Sequence, residues 1–526
     1  MRLVRYTLVC LSGLLFGSVP LAGAEPQTPP PAGVAVPQEA AGPTRRLTID
    51  EAVELALRNN LGLQIERLNP QIEDEQIAAA RSAYTPTVTT AFSTSGSTSQ
   101  PRSFTEGNQA FSTDGIASRV TFTQNALPWS NAQVSASWNG SRTTTSVFAP
   151  PFNPNLSSSF NVTATQPLLR NFLVNPVKNQ IQQAVLSRQI ADITLRQRVV
   201  GTERNVRQAY WNLVGAIERL NVAQQNLELS QTQLKNNRVR VEVGTMAPID
   251  IIVAEAEVAG NEEAVILAEA DIRAREDALR VLVFDPNEPD FWTARIEPTN
   301  QPLLQPLQVD TDAAIKTALE SRTDMVSARR QLQISDLSLK LSKNQTLPDL
   351  GVQASMTGTA SGGTQFAYDF GSDIPVNTTV RSFGSTLGDV FGFVYPNWSI
   401  AAQFSYPIGK AQAEATHARA VLQRRQADAQ LKNQELAVVQ QVRSAARNVT
   451  SNYQRVQSTR VARELAEQRL AAQQKRFDVG LSTLFELTQA QRDVVLQRNN
   501  ELNAIIAYNQ SLVDFQLVQV APLGGI

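Results

Sequence analysis

The sequence predicts a mainly helical protein with membrane β-strands. Long coiled-coil helices would tile the wall of an α-barrel, and that wall would continue into a β-barrel shared between protomers. Three observations carry the expectation. The chain holds an internal two-fold repeat, it has two proline-free helical runs on the order of 100 Å long, and several short segments alternate strictly between apolar and polar residues.

The repeat sets the domain plan. Leu47 to Val88 lies over Val309 to Leu350 at an offset of 262 without a gap, placing Ala52 on Ala314, Ala56 on Ala318, Leu57 on Leu319 and Pro86 on Pro348. A second block aligns at 236, with Val243-Gly244 on Val479-Gly480 and Ala254 on Ala490. Between them Pro167 falls on Pro407, an offset of 240. Self-similarity at a fixed period marks a duplicated supersecondary unit. The halves run over 47–283 and 309–518, with a connecting, equatorial segment at 284–308 and a tail at 519–526. Each half reads as helix, strands, long helix, tip turn, helix.

Two segments precede the repeat. Arg2 and Arg5, the apolar run from Leu8 to Val19, and Ala22-Gly23-Ala24 read as a signal peptide over 1–24, so Glu25 is the expected mature N-terminus. A lipid-bearing Cys10 is the competing reading, but the apolar run ahead of it is short. Residues 25–46 carry Pro26, Pro29, Pro30, Pro31, Pro37 and Pro43 and read as a linker with nothing to pack.

The first helix opens on Thr48 and Glu51, a capping box, and should run to about Ser82, ahead of Pro86. Strands follow. Phe160, Val162, Ala164 and Leu168 alternate with Ser159, Asn161, Thr163 and Thr165. Leu350, Val352, Ala354 and Met356 alternate with Gly351, Gln353, Ser355 and Thr357. Trp398, Ile400, Ala402, Phe404, Tyr406 and Ile408 alternate with Ser399, Ala401, Gln403 and Ser405, and Val88 with Phe92 gives a weaker version. About ten residues is the length of a membrane strand, and a Ser/Thr/Asn/Gln face suits a watery lumen. A soluble sandwich with one wet face fits the same alternation. Four strands cannot close a barrel, and open edges are not tolerated in lipid, so spanning strands would require several chains in one barrel. The first half has 22 more residues between its two prolines than the second, and 116–139 reads as an extra hairpin there, its place in or out of the barrel left open.

The long helices are expected over about 177–242 and 409–478. Val206, Tyr210, Leu213, Ile217 and Leu220 are spaced 4, 3, 4, 3, and Leu227, Leu234 and Val241 extend the seam every seven residues. An ordinary coiled-coil rod satisfies this seam. The shorter helices at 249–283 and 484–518 favour a cylinder wall instead. Each is roughly 52 Å long, so two end to end match one long helix.

Composition removes most chemistry. Lys and Arg number 47 against 48 Asp and Glu, a net charge of −1, which leaves no basic field for nucleic acid. Without residues 1–24 the charge is −3, from 45 basic and 48 acidic residues. One histidine, His417, and one cysteine, Cys10, leave a zinc or iron site without ligands. No catalytic constellation or phosphate loop is present, and no cofactor and no enzyme activity are expected. His417 reads as an ordinary polar position. No later stretch reaches the roughly 18 apolar residues of a membrane helix.

Taken together, the repeat, the heptads and the tip turns resemble the outer-membrane efflux protein family, the TolC-like channels, over 47–518. The pieces that carry the resemblance are Leu47-Thr48-Ile49-Asp50-Glu51-Ala52, Tyr84-Thr85-Pro86, Gln166-Pro167-Leu168-Leu169-Arg170, Tyr406-Pro407-Ile408-Gly409, and the tips Val243-Gly244-Thr245 and Val479-Gly480-Leu481-Ser482. The resemblance implies a homotrimer in the outer membrane that extends into the periplasm. Its β-barrel would contact outer-membrane lipid. The implied role is a passive exit duct of a tripartite efflux or type I secretion system, docked on a periplasmic adaptor (membrane fusion) protein and an inner-membrane transporter. Family cargo includes drugs, metals, small toxic molecules and secreted proteins. A periplasmic coiled-coil adaptor or scaffold is the alternative; its single helical hairpin and small soluble β-domains fit less well with long helices that each follow membrane-length strands.

Asp250 and Glu486 are equivalent under the 236 offset, each just past a tip. A carboxylate there caps orphan amides and complements the helix dipole. Thr483 with Glu486 fits a capping box, Pro248 suits the first helical position, and Gly244 and Gly480 suit C-caps. The resemblance implies a second role, an acidic gate ring that narrows the pore and favours cations, with adaptor hairpins meeting the tips. The family's best-known member latches its gate with a tyrosine and an arginine of the second tip, where this chain has Phe477 and Ser482. A further acidic position reads Gln489. Closure by packing rather than by a charged latch is therefore expected.

Overall fold

The computed structural model describes residues 43–101, 109–147, 150–369, 374–409 and 412–523. The expected signal peptide, Cys10 and most of the expected linker lie outside them.

The chain enters through β1 (Thr44–Leu47), the end of the segment expected to be linker. Rather than staying unpacked, β1 pairs in parallel with a later strand, β6 (Arg295–Pro298), and Leu47 is buried. The first helix also departs from expectation: it is three helices, α1 (Ile49–Asn59), α2 (Leu61–Glu66) and α3 (Asn69–Arg81). Thr48 and Glu51 form the expected capping box. Asn60 then leaves helical geometry and its side chain accepts from the Leu63 amide, which starts a new helix. Pro70, with no N–H to give, sits in the first turn of α3.

The sheet strands of the first half are β2 (Thr87–Ser99), β3 (Phe111–Gln124), β4 (Gln133–Thr145) and β5 (Phe152–Pro167). Then come α4 (Pro176–Glu242), α5 (Ile249–Val283) and β6 (Arg295–Pro298). The second half holds α6 (Thr311–Ser321), α7 (Thr323–Gln345), β7 (Asp349–Tyr368), β8 (Pro375–Arg381), α8 (Phe383–Phe391), β9 (Pro396–Ser405), α9 (Gln412–Asp478) and α10 (Leu484–Leu517). The long helices α4 and α9 each have 67 residues and begin 236 positions apart. The helix expected ahead of the second set of strands is also broken, at Arg322, 262 positions after Asn60. Arg322 is fully buried, and its guanidinium donates to Asp324, Gln441 and the Val518 carbonyl.

Seven strands form one antiparallel sheet in the order β2-β3-β4-β5-β7, with β9 and β8 sharing the far edge of β7. Four strands were expected, with an extra hairpin whose place was left open. The hairpin β3–β4 is hydrogen-bonded between β2 and β5, and β8 was not anticipated. The register gives the sheet two faces. Val88, Phe122, Ala136, Val162, Met356 and Trp398 form one row, and Thr87, Thr123, Ser135, Thr163, Ser355 and Ser399 form the row beside it on the opposite face. Helix α8 lies against β5 and β7 on the apolar side, its Phe391 ring 5.2 Å from that of Phe160. Gly358 is required there, since a Cβ would stand 2.6 Å from the Val390 carbonyl.

The helices form a wall four lanes wide. α3 and α5 pack on one side of α4, α7 and α10 on the other, and α6, α7 and α10 also pack on α9. Half-length helices thus stack end to end beside the long ones. The core sits at the middle of this wall, where β1, α1, β6 and the ends of α5 and α10 close over Val206, Tyr210 and Leu213. A second cluster gathers Val438, Val442 and Val449 of α9 with α6 and Tyr508 of α10. Tyr210 accepts from the Thr299 and Asn300 amides and donates to the Leu47 carbonyl, which fastens the connecting segment across α4. No helix among the described residues is long and apolar enough to cross a membrane.

Candidate functional site

The two tips have the same backbone logic. α4 ends at Glu242, and Gly244 takes a φ of +75°, a conformation that costs a side-chain-bearing residue and costs glycine little. The Gly244 amide reaches the Val241 carbonyl and the Thr245 amide the Arg240 carbonyl, which satisfies the last carbonyls of the helix. Gly480 repeats this with φ +76°, its amide on Phe477 and the Leu481 amide on Arg476. Val243, Thr245, Val479, Leu481 and Ser482 complete these turns; Val243, Val479 and Leu481 are exposed apolar side chains.

The two expected gate carboxylates have different surroundings. Glu486 is the far half of a capping box: its amide donates to Thr483 Oγ1 and its carboxylate accepts from the Thr483 amide, both at 3.3 Å. Ser482 Oγ at 2.6 Å and Gln473 Nε2 at 3.0 Å donate to the same oxygen. These donors, Ser482 first and the Thr483 amide next, hold the Glu486 carboxyl below its usual pKa. Asp250 is different. Pro248 is the N-cap itself, one residue earlier than expected, and makes no side-chain cap bond. Asp250 is half-buried in the first turn of α5, and among the described residues its side chain makes no hydrogen bond or ion pair. No contact of either kind joins it to Glu486 within the protomer.

Two groups that sequence reasoning missed join the tips. Arg240 Nη2 meets Asp478 Oδ1 at 3.0 Å, and its guanidinium carbon lies 4.9 Å from the centre of the Phe477 ring. Phe477 is only 5% exposed, packed with Leu484 and Leu487 of its own tip and Met246 of the other. Farther up, Arg492 of α10 grips Glu257 of α5 with two hydrogen bonds of 3.3 and 2.5 Å. Within the protomer the two tips are therefore joined by packing and by a charged pair that lies over it, with the arginine on the first tip. The signal was present in the repeat, since Arg240-Val-Glu242-Val-Gly244 matches Arg476-Phe-Asp478-Val-Gly480 at the 236 offset.

His417 Nδ1 lies 3.2 Å from Ser342 Oγ, an ordinary polar contact between α9 and α7. No cluster of His, Cys, Asp and Glu fit to hold a metal occurs among the described residues.

The cap makes a prediction. A carboxyl whose pKa is lowered by folding stabilises above its unfolded pKa, and the contribution is lost as pH falls through the folded value. Hydrogen exchange at the Glu486 amide should therefore be faster in Glu486→Gln than in wild type at neutral pH. The gap should close as the pH falls below the usual glutamate range. A gap that persists in acid would show that the carboxylate charge does not hold this turn.

The sequence profile of the outer membrane efflux protein family matches residues 52–283 and 314–518. No curated protein sequence matches. Among solved structures, the fold is similar to CusC, at a TM-score of 0.63 and 13% identity over 90% of this chain and 92% of that one. The Campylobacter jejuni CmeC outer membrane channel is similar at 0.61 and 15%, covering 90% and 85%. The Vibrio cholerae outer membrane protein VceC is similar at 0.62 and 14%, covering 90% and 96%.

Proposed function

The chain belongs to the outer membrane efflux protein family, and from that premise we propose that it is the outer-membrane duct of a tripartite efflux or type I secretion system. It is a homotrimer of two homologous halves per protomer, with a β-barrel in outer-membrane lipid and a helical barrel in the periplasm. It carries out no chemical step. The tips meet a periplasmic adaptor, and an inner-membrane transporter supplies the energy.

The observation that carries this reading is a coincidence of open edges. The sheet ends at β2 on one side and at β9 and β8, which share one lane, on the other. The helical wall ends with the α1–α3 and α5 lane on one side and with α9 on the other. α3 leads into β2 and β9 leads into α9, so the two layers are open at the same two sides. The protomer has the form of a staved wedge whose edges want copies of each other. β2 and β9 run in opposite directions, which allows antiparallel closure between neighbours. Trp398, Ile400 and Phe404 on β9 are 71%, 69% and 65% exposed in the single chain, as suits contact with lipid. The adaptor or scaffold alternative gives such a two-faced sheet no role.

Purification tests this. The protein is expected in the outer-membrane fraction as a trimer in detergent, with each chain beginning at Glu25 by intact mass, and should conduct ions across a planar bilayer. A water-soluble monomer without conductance would remove the reading, and a chain that still carries Met1 to Ala24 would remove the signal peptide.

A further inference from the structure

We propose that the hairpin β3–β4 is part of the pore wall, so that each protomer supplies six strand lanes and the trimer closes a barrel of eighteen. The inference rests on the trimeric channel reading above and goes beyond it by setting the width of the pore.

Hydrogen bonding places the hairpin in the wall. β3 pairs with β2 from Phe111 to Thr123, and β4 pairs with β5 from Gln133 to Thr143, with no register break in either ladder. A hairpin lying on the surface of a sheet would leave β2 and β5 to pair directly; here they are separated by two full lanes. The side chains agree. Thr89, Thr121, Ser137, Asn161, Thr357 and Asn397 form one row across all six lanes, entirely polar. Short side-chain contacts tie that face together across the hairpin: Arg119 to Asn139 at 2.6 Å, Ser141 to Ser157 at 2.6 Å, and Asn161 to Thr357 at 2.7 Å. On the other face Phe122 and Ala136 continue the apolar row between Val88 and Val162. An external loop has no cause to keep the same inside and outside as its neighbours over two strands.

Geometry favours the same number. Six lanes is even, so β2 and β9 remain antiparallel at the junction between copies, and eighteen lies within the even-numbered range of outer-membrane barrels. Strands about 4.8 Å apart and tilted by about 40° give eighteen a circumference of roughly 110 Å. Three copies of the four-lane helical wall, at about 9–10 Å per helix, give nearly the same. A barrel of twelve strands would measure only about 75 Å around and would have to flare to meet that wall. The eighteen-strand pore is about half again as wide and passes into the helical barrel without a step.

Cysteine labelling of the detergent-extracted, reconstituted protein tests the proposal. Cys10 is the only cysteine, so variants are read in the Cys10→Ser background. Thr121→Cys and Ser137→Cys should react with a charged aqueous maleimide about ten-fold faster than Phe122→Cys and Ala136→Cys, because water is absent from the hydrocarbon core. Thr163→Cys and Val162→Cys on β5 give the reference alternation. Equal labelling of the four hairpin sites, with β5 still alternating in a trimer, would overturn the wall assignment alone. Loss of alternation on β5 as well, or a monomeric mass, would overturn the channel reading beneath it.

Discussion

Leu213→Asp is expected to abolish assembly of the protein. Leu213 is fully buried in the cluster that joins α4 to β1, α1, α5 and α10, with Val206 and Tyr210 beside it on the same seam. The substitution removes a buried leucine and leaves a carboxylate without a partner. The lost leucine alone is worth about 2–5 kcal/mol and the unpaired carboxylate adds to it, so the combined cost exceeds about 3 kcal/mol. Whole domains are stable by only about 5–15 kcal/mol. The loss falls at the middle of the wall, where the connecting segment is fastened, and should therefore reach both the barrel and the tip. Arg219 on the same helix is the control. It lies off the seam and pairs with Asp271 of α5 at 2.8 Å, both side chains about one-third exposed. Such a pair contributes about 0–1 kcal/mol, so Arg219→Ala should keep its trimers and melt only slightly lower. Trimer yield and thermal denaturation of the two variants decide the matter. Equal defects would mean that burial along α4 does not follow the heptad.

The seam was legible because α4 must bury one stripe against two different sets of neighbours, and only a period close to 3.5 serves both. The tips were legible because a helix that reverses direction needs a left-handed residue, and Gly244 and Gly480 recur at one offset. The broken helix was not. Asn60 is a good helix cap, but it sits in an apolar-periodic run that reads straight through, and only the packing of α2 on α4 makes the break worthwhile. The hairpin β3–β4 was visible as alternation, but its position was not. Alternation fixes which residues share a face and says nothing about which strand lies beside which. Arg240 was missed for a related reason. Its partner Asp478 is 238 residues away, and local patterning cannot rank such pairs. The opposite failure occurred at Asp250, which the offset makes equivalent to Glu486 while Pro248 denies it the same cap.

Arg240→Ala should raise the open fraction of the channel. Arg240 is the one described side chain of the first tip that reaches both Asp478 and the face of Phe477. The ion pair is partly exposed, at 32% and 49%, so it is worth no more than about 1 kcal/mol, and the contact with the ring about 0.5–1 kcal/mol. Alone these are small. In the proposed homotrimer, with tips that part together, three copies add to roughly 1.5–6 kcal/mol, about one to four orders of magnitude in the ratio of open to closed. Asp478→Asn removes only the charge and leaves the guanidinium over Phe477, so it should open the channel less. Asp250→Asn should behave differently again. Among the described residues its side chain has no hydrogen bond or ion pair to lose, so the closed state should be left intact. If the half-buried carboxylates line the mouth, cation selectivity and block by multivalent cations should weaken. Glu486→Gln, whose carboxylate is engaged in its cap, should change selectivity little. Single-channel recordings at equal salt, with reversal potentials in a salt gradient, separate these effects. Unchanged conductance in Arg240→Ala would mean that the contact between Met246 and Phe477 holds the tips without help from charge. An unchanged reversal potential in Asp250→Asn would reduce that carboxylate to a partner of the helix dipole.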